Sequence, residues 1–380
     1  MKIAIICEAV FPENKGGLER WMAWLANSLF SKGYEVFYLN ASGVNEVREG
    51  VVFESITNKS WSYTKNNTRS ISQSIDFSWN LFIQLRKKEY EVIYSAQAPV
   101  VSLLFIKLAN LKQKKSLLII EWLEIWSYSY WQEYLGRIFG LLGYIIQNLA
   151  LRIGKVKVCF TDRVYLKLKS VSKRSNIYKL PGICMENSPN FPVSFQQKDN
   201  IVFLSRFVKE KNPLLAINAV VEYKKLGWNG VFYLIGSGPM ESKIKEHVIL
   251  KGASDFIKVL VNISDSEVTE IMKSSFVLLH PSMREGFGLS MVEAAYQGVP
   301  TILIDYPENT SVDLAIIKEL VSQTPTISEL VGKLHQAYSN QRINHEKLKR
   351  WIETIYPQML GSKSLTYVEN IIKNNYDISY

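Results

Sequence analysis

Cysteine and histidine are both scarce in this chain of 380 residues, which has three Cys and four His. Cys7, Cys159 and Cys184 stand far apart in no metal-ligand spacing, which argues against a disulfide framework or a zinc site and fits a reducing cytosol. The most apolar window, residues 137–154, is broken by Gln147 and Asn148 and reaches only the lower length limit of a membrane span. It reads as a helix buried on one side and resting on a membrane interface. The N-terminal run alternates like a buried strand, meets charge at Glu8 and lacks a small-residue cleavage site, so no export signal is expected. A fixed-period repeat, a low-complexity tract and the Gly-x-Gly-x-x-Gly fingerprint of nicotinamide-dependent oxidoreductases are also missing.

What is present is a folded composition, 47% hydrophobic and 21% charged, over a length that suits two cores better than one. Aromatics make up 12%, including nine Trp and twenty Tyr, enough for a surface that handles rings, sugars or lipid as well as for a core. The net charge of +10 is uneven: residues 1–185 carry +11 and residues 186–380 carry −1. A basic first half suits solubility, anionic lipid or phosphorylated acceptors.

Apolar strand-like runs at "KIAIICEA", "YEVFYLNA", "VVFESI", "EVIYSA", "SLLIIEW" and "VKVCFTD" alternate with helical periodicity in the first half. The pattern repeats after residue 200 at "NIVFLSR", "VFYLIGSG", "IKVLVNI", "FVLLHPS" and "TILID". Strands apolar on both faces, separated by helices, predict an α/β chain with two parallel, doubly wound sheets. We expect a first domain over 1–185, a Pro-rich linker over 186–199, a second domain over 200–360, and a last helix, about 361–380, packing back on the first domain. Ligands of such sheets bind at the carboxyl ends of the strands, so the site is expected in a central cleft between the two domains.

Four stretches carry candidate chemistry. "PENKGGLER" places Gly16 and Gly17 at a helix start, either as a plain turn or as a phosphate contact. "FLSRFVKEKNP" puts Arg206 and Lys211 beyond a strand end, where two cations suit a diphosphate. "LIGSGP" gives Gly236 and Gly238 in a turn where backbone approaches a neighbour. "HPSMREGFGLSMVEAAYQGVP" sets Glu285 before Gly286, Phe287, Gly288 and Leu289, then Glu293 on a helix whose amino end favours phosphate. Ser290 and Glu293 have capping-box spacing, which alone accounts for Glu293. Nothing structural is expected to require an acid at Glu285.

Together these stretches resemble the retaining nucleotide-sugar glycosyltransferases of family 4, with the GT-B fold and a Glu-x7-Glu block, from Gly16 to at least Asp305. The resemblance implies that Glu285 sits beside the donor hexose, that Arg206 and Lys211 neutralise the diphosphate, and that Glu293 binds the ribose. Gly16, Gly17, Gly236, Gly238 and Gly286 to Leu289 would line the donor. It implies a metal-independent transfer with no cofactor beyond the nucleotide-diphosphate sugar, whose leaving phosphate oxygen takes the acceptor proton. His280 would shape the site or serve as a structural histidine. "EWLEIWSYSYWQEYLG" resembles a block found in a subset of these enzymes, with Leu123 where that subset has His, which leaves Glu124 and Trp126 as acceptor-side candidates or as part of an aromatic core. After Asp305 the usual Gly-Gly pair gives way to "YPENTS". The expected partners are a sugar nucleotide, a lipid-linked glycan acceptor and an anionic membrane met peripherally by the basic half, with no nucleic acid and a cytoplasmic location. A nucleotide-sugar epimerase and a non-catalytic sugar- or partner-binding protein on the same architecture are the alternatives; the shortage of His counts against the first and the retained Glu285, Arg206 and Lys211 against the second.

Overall fold

A computed structural model of the chain describes residues 1–14, 16–57, 70–111, 116–184, 191–192 and 194–376. Part of the expected linker, residues 186–190 and 193, lies outside the described residues, as do residues 377–380 of the expected last helix. The chain forms two compact units, Met1–Met185 with Met359–Tyr380, and Glu186–Gln358.

In the first unit, eight strands form one sheet: β1 (Lys2–Ile6), β2 (Glu35–Asn40), β3 (Glu46–Arg48), β4 (Val51–Ser55), β5 (Val92–Ala96), β6 (Leu117–Glu121), β7 (Val156–Cys159) and β8 (Asn176–Lys179). Their order is β3-β4-β2-β1-β5-β6-β7-β8, parallel throughout except for the antiparallel edge strand β3. Helices α1 (Gly17–Ser31), α2 (Ile71–Lys87), α3 (Val100–Asn110), α4 (Tyr128–Leu135), α5 (Arg137–Ala150) and α6 (Asp162–Val171) connect them. Strands β5 and β7 are buried along their whole length, as expected of a parallel sheet covered on both faces. The three cysteines are buried.

The carboxyl end of β6 carries Glu121, fully buried, whose Oε2 accepts from Trp21 Nε1 at 2.9 Å and from the Tyr94 hydroxyl at 2.5 Å. Its Oε1 has no hydrogen-bond partner among the described residues. Burial pushes this carboxyl up to about 7, partly offset by those two donors.

In the second unit, β9 (Asn200–Leu204), β10 (Phe232–Ile235), β11 (Ile257–Leu260), β12 (Ser275–His280), β14 (Thr301–Ile304) and β16 (Val321–Ser322) form a parallel sheet in the order β11-β10-β9-β12-β14-β16. Two short strands, β13 (Arg284–Glu285) and β15 (Glu308–Asn309), pair parallel beside it. The helices are α7 (Pro213–Lys224), α8 (Glu241–Leu250), α9 (Asp265–Ser274), α10 (Leu289–Tyr296), α11 (Ile327–Ser339) and α12 (Gln341–Thr354). Strand order reverses between β9 and β12, the position where doubly wound sheets open a crevice for a ligand.

The last helix, α13 (Gly361–Tyr376), belongs to the first unit, where a Cβ on Gly361 would lie 3.2 Å from the rings of Trp21 and Trp24. Ser364 Oγ accepts from Gly182 N at 3.1 Å and donates to Gly182 O at 2.5 Å. Among the described residues, no helix is long and apolar enough to cross a membrane.

Candidate functional site

The carboxyl edge of the second sheet collects most of the residues singled out from sequence. Arg206 stands exposed two residues beyond β9, and Lys211 follows in a single 3-10 turn, Lys209–Lys211, that ends at the left-handed Asn212 and lets Pro213 open α7. Gly236 and Gly238 follow β10, next to β9 in the sheet. On the other side of β9, β12 ends at His280, and Glu285 follows in β13.

Lys211 and Glu285 are in direct contact, with Nζ 2.5 Å from Oε2 and the two side chains 10% and 21% exposed. Lys211 Nζ also donates to Arg284 O at 3.2 Å, so two of its three donor positions are taken. His280, 1% exposed, sets Nε2 3.2 Å from the same Glu285 oxygen and 3.0 Å from Ser282 Oγ. Its Nδ1 is buried without a hydrogen-bond partner among the described residues. Burial works against the charged Glu285 carboxylate, but the Lys211 ammonium and the His280 contact outweigh it and hold the group well below the usual carboxylate range. The expectation that nothing structural requires an acid at Glu285 is therefore corrected: the carboxylate balances a buried lysine 74 residues away in sequence.

The loop carrying Glu285 is braced by a stretch that the sequence reading marks only as a departure from the family pattern. Thr310 Oγ1 donates to Glu285 O at 3.1 Å and to Gly286 O at 2.5 Å. Asn309 Nδ2 donates to Ser282 O at 3.1 Å and to Ile304 O at 3.0 Å, and Ser311 Oγ donates to Asn309 Oδ1 at 2.6 Å. A second ion pair, Arg284 to Glu210 at 3.3 Å, lies alongside. The polar run Asn309-Thr310-Ser311, which begins in the short strand β15, was the available signal: buried side chains of this type have to find hydrogen-bond partners.

Phe287 is buried, and Gly288 takes the left-handed conformation (φ 79°) as the N-cap of α10, with Leu289 as its first residue. The capping box expected from Ser290 and Glu293 does not form, because α10 starts before Ser290 and has no side-chain cap. The same motif does form at Ser264 and Glu267 of α9, where the serine precedes the helix. Helix capping therefore does not account for Glu293, which sits half-buried inside α10.

The two glycines after β10 meet their own chain: a Cβ on Gly236 would lie 1.9 Å from Ser205 O, and one on Gly238 2.7 Å from Phe207 O. Phe207 N donates to Ser237 O at 2.8 Å, lacing the β9 and β10 loops together. Gly236→Ala is expected to lower stability by about 2–4 kcal/mol, since backbone has to move to admit a methyl group. Urea unfolding reads this, and a change under about 0.5 kcal/mol, the scale of an ordinary surface substitution, would contradict it.

The remaining candidates belong to the first unit. Gly16 is the N-cap of α1 and Gly17 its exposed first residue. Half-buried Glu124 donates its backbone N–H to Gln97 Oε1 at 3.2 Å. Trp126 packs against Trp131, Tyr130 and Tyr134 at centroid distances of 4.6, 5.1 and 5.1 Å.

Residues 185–357 match the family model described as "Glycosyl transferases group 1". The chain is 32% identical over 108 residues to the GtfA subunit of a UDP-N-acetylglucosamine–peptide N-acetylglucosaminyltransferase from Streptococcus agalactiae, covering 28% of this chain and 21% of that protein. The match thus spans about a fifth of that relative's length. Among solved structures, sucrose-phosphate synthase from Thermosynechococcus elongatus superposes with a TM-score of 0.79 at 15% identity over 99% of both chains. The Anabaena protein HepE, solved in complex with UDP-glucose, gives a TM-score of 0.71 at 12% identity over 98% of this chain and 100% of its own. With likeness along nearly the whole chain and two Rossmann-like parallel sheets, the protein has the GT-B fold, and its second unit carries the match to the group 1 glycosyl transferases.

Proposed function

We propose that the protein is a retaining glycosyltransferase of family 4. It moves a hexose from a UDP- or GDP-type sugar to a lipid-linked glycan acceptor in cell-surface polysaccharide or glycoconjugate synthesis. The observation that carries this reading is the Lys211–Glu285 pair at the carboxyl edge of a parallel sheet, inside the segment that matches the group 1 model.

In this reading the third donor of Lys211 and the exposed Arg206 take the donor diphosphate, and the amino end of α10 adds its backbone N–H groups. Glu285 is held ionised, with Oε2 engaged by Lys211 and His280, and its Oε1 receives hexose hydroxyls. Glu293 receives the ribose hydroxyls, and Glu124 and Trp126 face the acceptor. The anomeric carbon–phosphate oxygen bond breaks as the acceptor oxygen bonds on the same face, and the leaving phosphate oxygen takes the acceptor proton. Two cations and a helix end stabilise the charge that grows on the diphosphate, so the step calls for no metal ion.

A panel of UDP-, GDP- and ADP-sugars without acceptor tests the reading by calorimetry and by slow nucleotide release. One donor class is expected to bind and to hydrolyse slowly; no binding to any of them would sink the proposal. Glu293→Gln is expected to weaken binding of that donor about tenfold or more, the usual effect of losing a hydrogen bond to a charged group. Unchanged affinity would remove Glu293 from the site.

A further inference from the structure

Three consecutive polar side chains, Asn309, Thr310 and Ser311, are buried beside the candidate site, each at most 3% exposed. They meet the loop from Ser282 to Gly288 at successive points. Asn309 Nδ2 ties the start of that loop, Ser282 O, to the end of β14, Ile304 O. The Thr310 hydroxyl has a single hydrogen and sets it between two successive carbonyls, Glu285 O and Gly286 O. Ser311 Oγ is fixed by its bond to Asn309 Oδ1, and its Cβ stands where a Cβ on Gly288, at the start of α10, would come within 3.0 Å. The glycine pair of the family pattern could form none of these side-chain bonds.

These contacts hold Glu285 from both sides. Toward its amino side, the pairing of β13 with β15 sets Arg284 opposite Glu308 and Glu285 opposite Asn309. Toward its carboxyl side, Thr310 fixes the direction of the Glu285 carbonyl. With the peptide groups before and after it fixed, the Cα–Cβ bond of Glu285 has one direction, and the carboxylate reaches Lys211 and His280. The residues assigned to the nucleotide are carried by other segments: Arg206 and Lys211 follow β9, and Glu293 lies within α10. The Thr310 hydroxyl therefore acts on the hexose end of the site and not on the nucleotide end.

We propose that Thr310 is a positioning residue for the transfer, whose hydroxyl aims the Glu285 carboxylate at the donor hexose by holding the two carbonyls that follow it. A displacement of about 1 Å at a reacting centre can lower a rate 100-fold, so one hydroxyl two residues outside β13 in space and 25 residues away in sequence is enough to set turnover. The turnover half of the proposal rests on the transferase reading; the placement of Glu285 does not.

Three variants of the full chain test it, assayed below the lowest of their melting temperatures. Thr310→Val and Thr310→Ala both remove the hydroxyl, the first keeping the volume, and Thr310→Ser restores it. Hydrolysis of the sugar nucleotide is expected to fall about 10- to 100-fold in the first two and to return to within about threefold in Thr310→Ser. Affinity for UDP or GDP alone should stay within about threefold in all three, the mark of an interaction used in turnover and not in binding. A second readout needs no donor. The chain has four histidines, and His280 Nε2 lies 3.2 Å from Glu285 Oε2, so its ring nitrogen resonances report where that carboxylate stands. They are expected to move in Thr310→Val and Thr310→Ala, with those of His247, His335 and His345 unchanged, and to hold in Thr310→Ser. An unmoved His280 signal in the two variants without the hydroxyl would overturn the proposal, as would equal losses of turnover and nucleotide affinity. If the unmodified chain bound no donor, the transferase reading would fall, and the His280 signal alone would decide whether Thr310 places Glu285.

Discussion

Turnover of the sugar nucleotide is expected to fall about 100- to 1000-fold in Glu285→Gln, the range seen when a charge-stabilising group is removed from a reacting centre. The amide keeps the shape and an acceptor oxygen but cannot balance the Lys211 ammonium 2.5 Å away. The same variant is expected to lose about 3 kcal/mol of stability, the low end for breaking a buried ion pair, because both side chains keep some contact with water. Adding Lys211→Met should recover most of that stability and none of the turnover. The comparison separates the two roles of Glu285: if the double variant regained activity, the pair would be structural alone. The pH dependence has a fixed sign. The folded carboxyl titrates below its unfolded range near 4.3, so its stabilisation is complete above that range and is lost as pH falls toward the folded value. Unfolding midpoints of Glu285→Gln and the unmodified chain should therefore stay a constant distance apart from pH 7 to about pH 5 and draw closer, without meeting, as pH falls from there to about 3.

A gain of stability at alkaline pH is expected from Glu121→Gln, in the other unit. Here the folded value, about 7, lies above the unfolded one. Between about 4.5 and 7 the folded state holds a proton that the unfolded chain has released, so stability falls as pH rises through that window. The accumulated penalty approaches about 3 kcal/mol above pH 7. Glutamine offers its carbonyl oxygen to Trp21 and Tyr94 and carries no charge, so the variant should match the original at pH 5 and exceed it by about 3 kcal/mol at pH 8. The surrounding groups do not blur the signal, since Cys7, Tyr38 and Tyr94 are all held neutral by burial across this range. Parallel stability profiles from pH 5 to pH 8 would show that Glu121 does not titrate in this window.

The fold is legible in the sequence where strands are buried on both faces. The runs at "KIAIICEA", "EVIYSA" and "NIVFLSR" correspond to β1, β5 and β9, because a central parallel strand has to be apolar throughout. The edge strands β3 and β8 are mostly exposed, so their residues carry no hydrophobic signature. The candidate site is legible as a set of residue types at strand ends. The contacts among them are not, because the Lys211–Glu285 pair joins residues 74 apart and Thr310 reaches back 25 and 24 residues to the loop it braces. The capping-box spacing at Ser290 and Glu293 misleads for a related reason: Gly288 starts the helix two residues early, and a spacing rule does not register where the backbone turns.

The join at Cys184 and Leu360 has a consequence for how the chain can be cut. Cys184 pairs in parallel with Leu360, accepts from Gly361 N at 2.6 Å and donates to Met359 O at 3.2 Å. The chain thus leaves the first unit and re-enters it through one stitched point, and the second unit is an insertion between Cys184 and Met359, which the stitch holds side by side. Such an insert can be excised, or its ends fused for circular permutation, without stretching the backbone. Truncation ahead of Met359, by contrast, removes α13 and unstitches both passages at once.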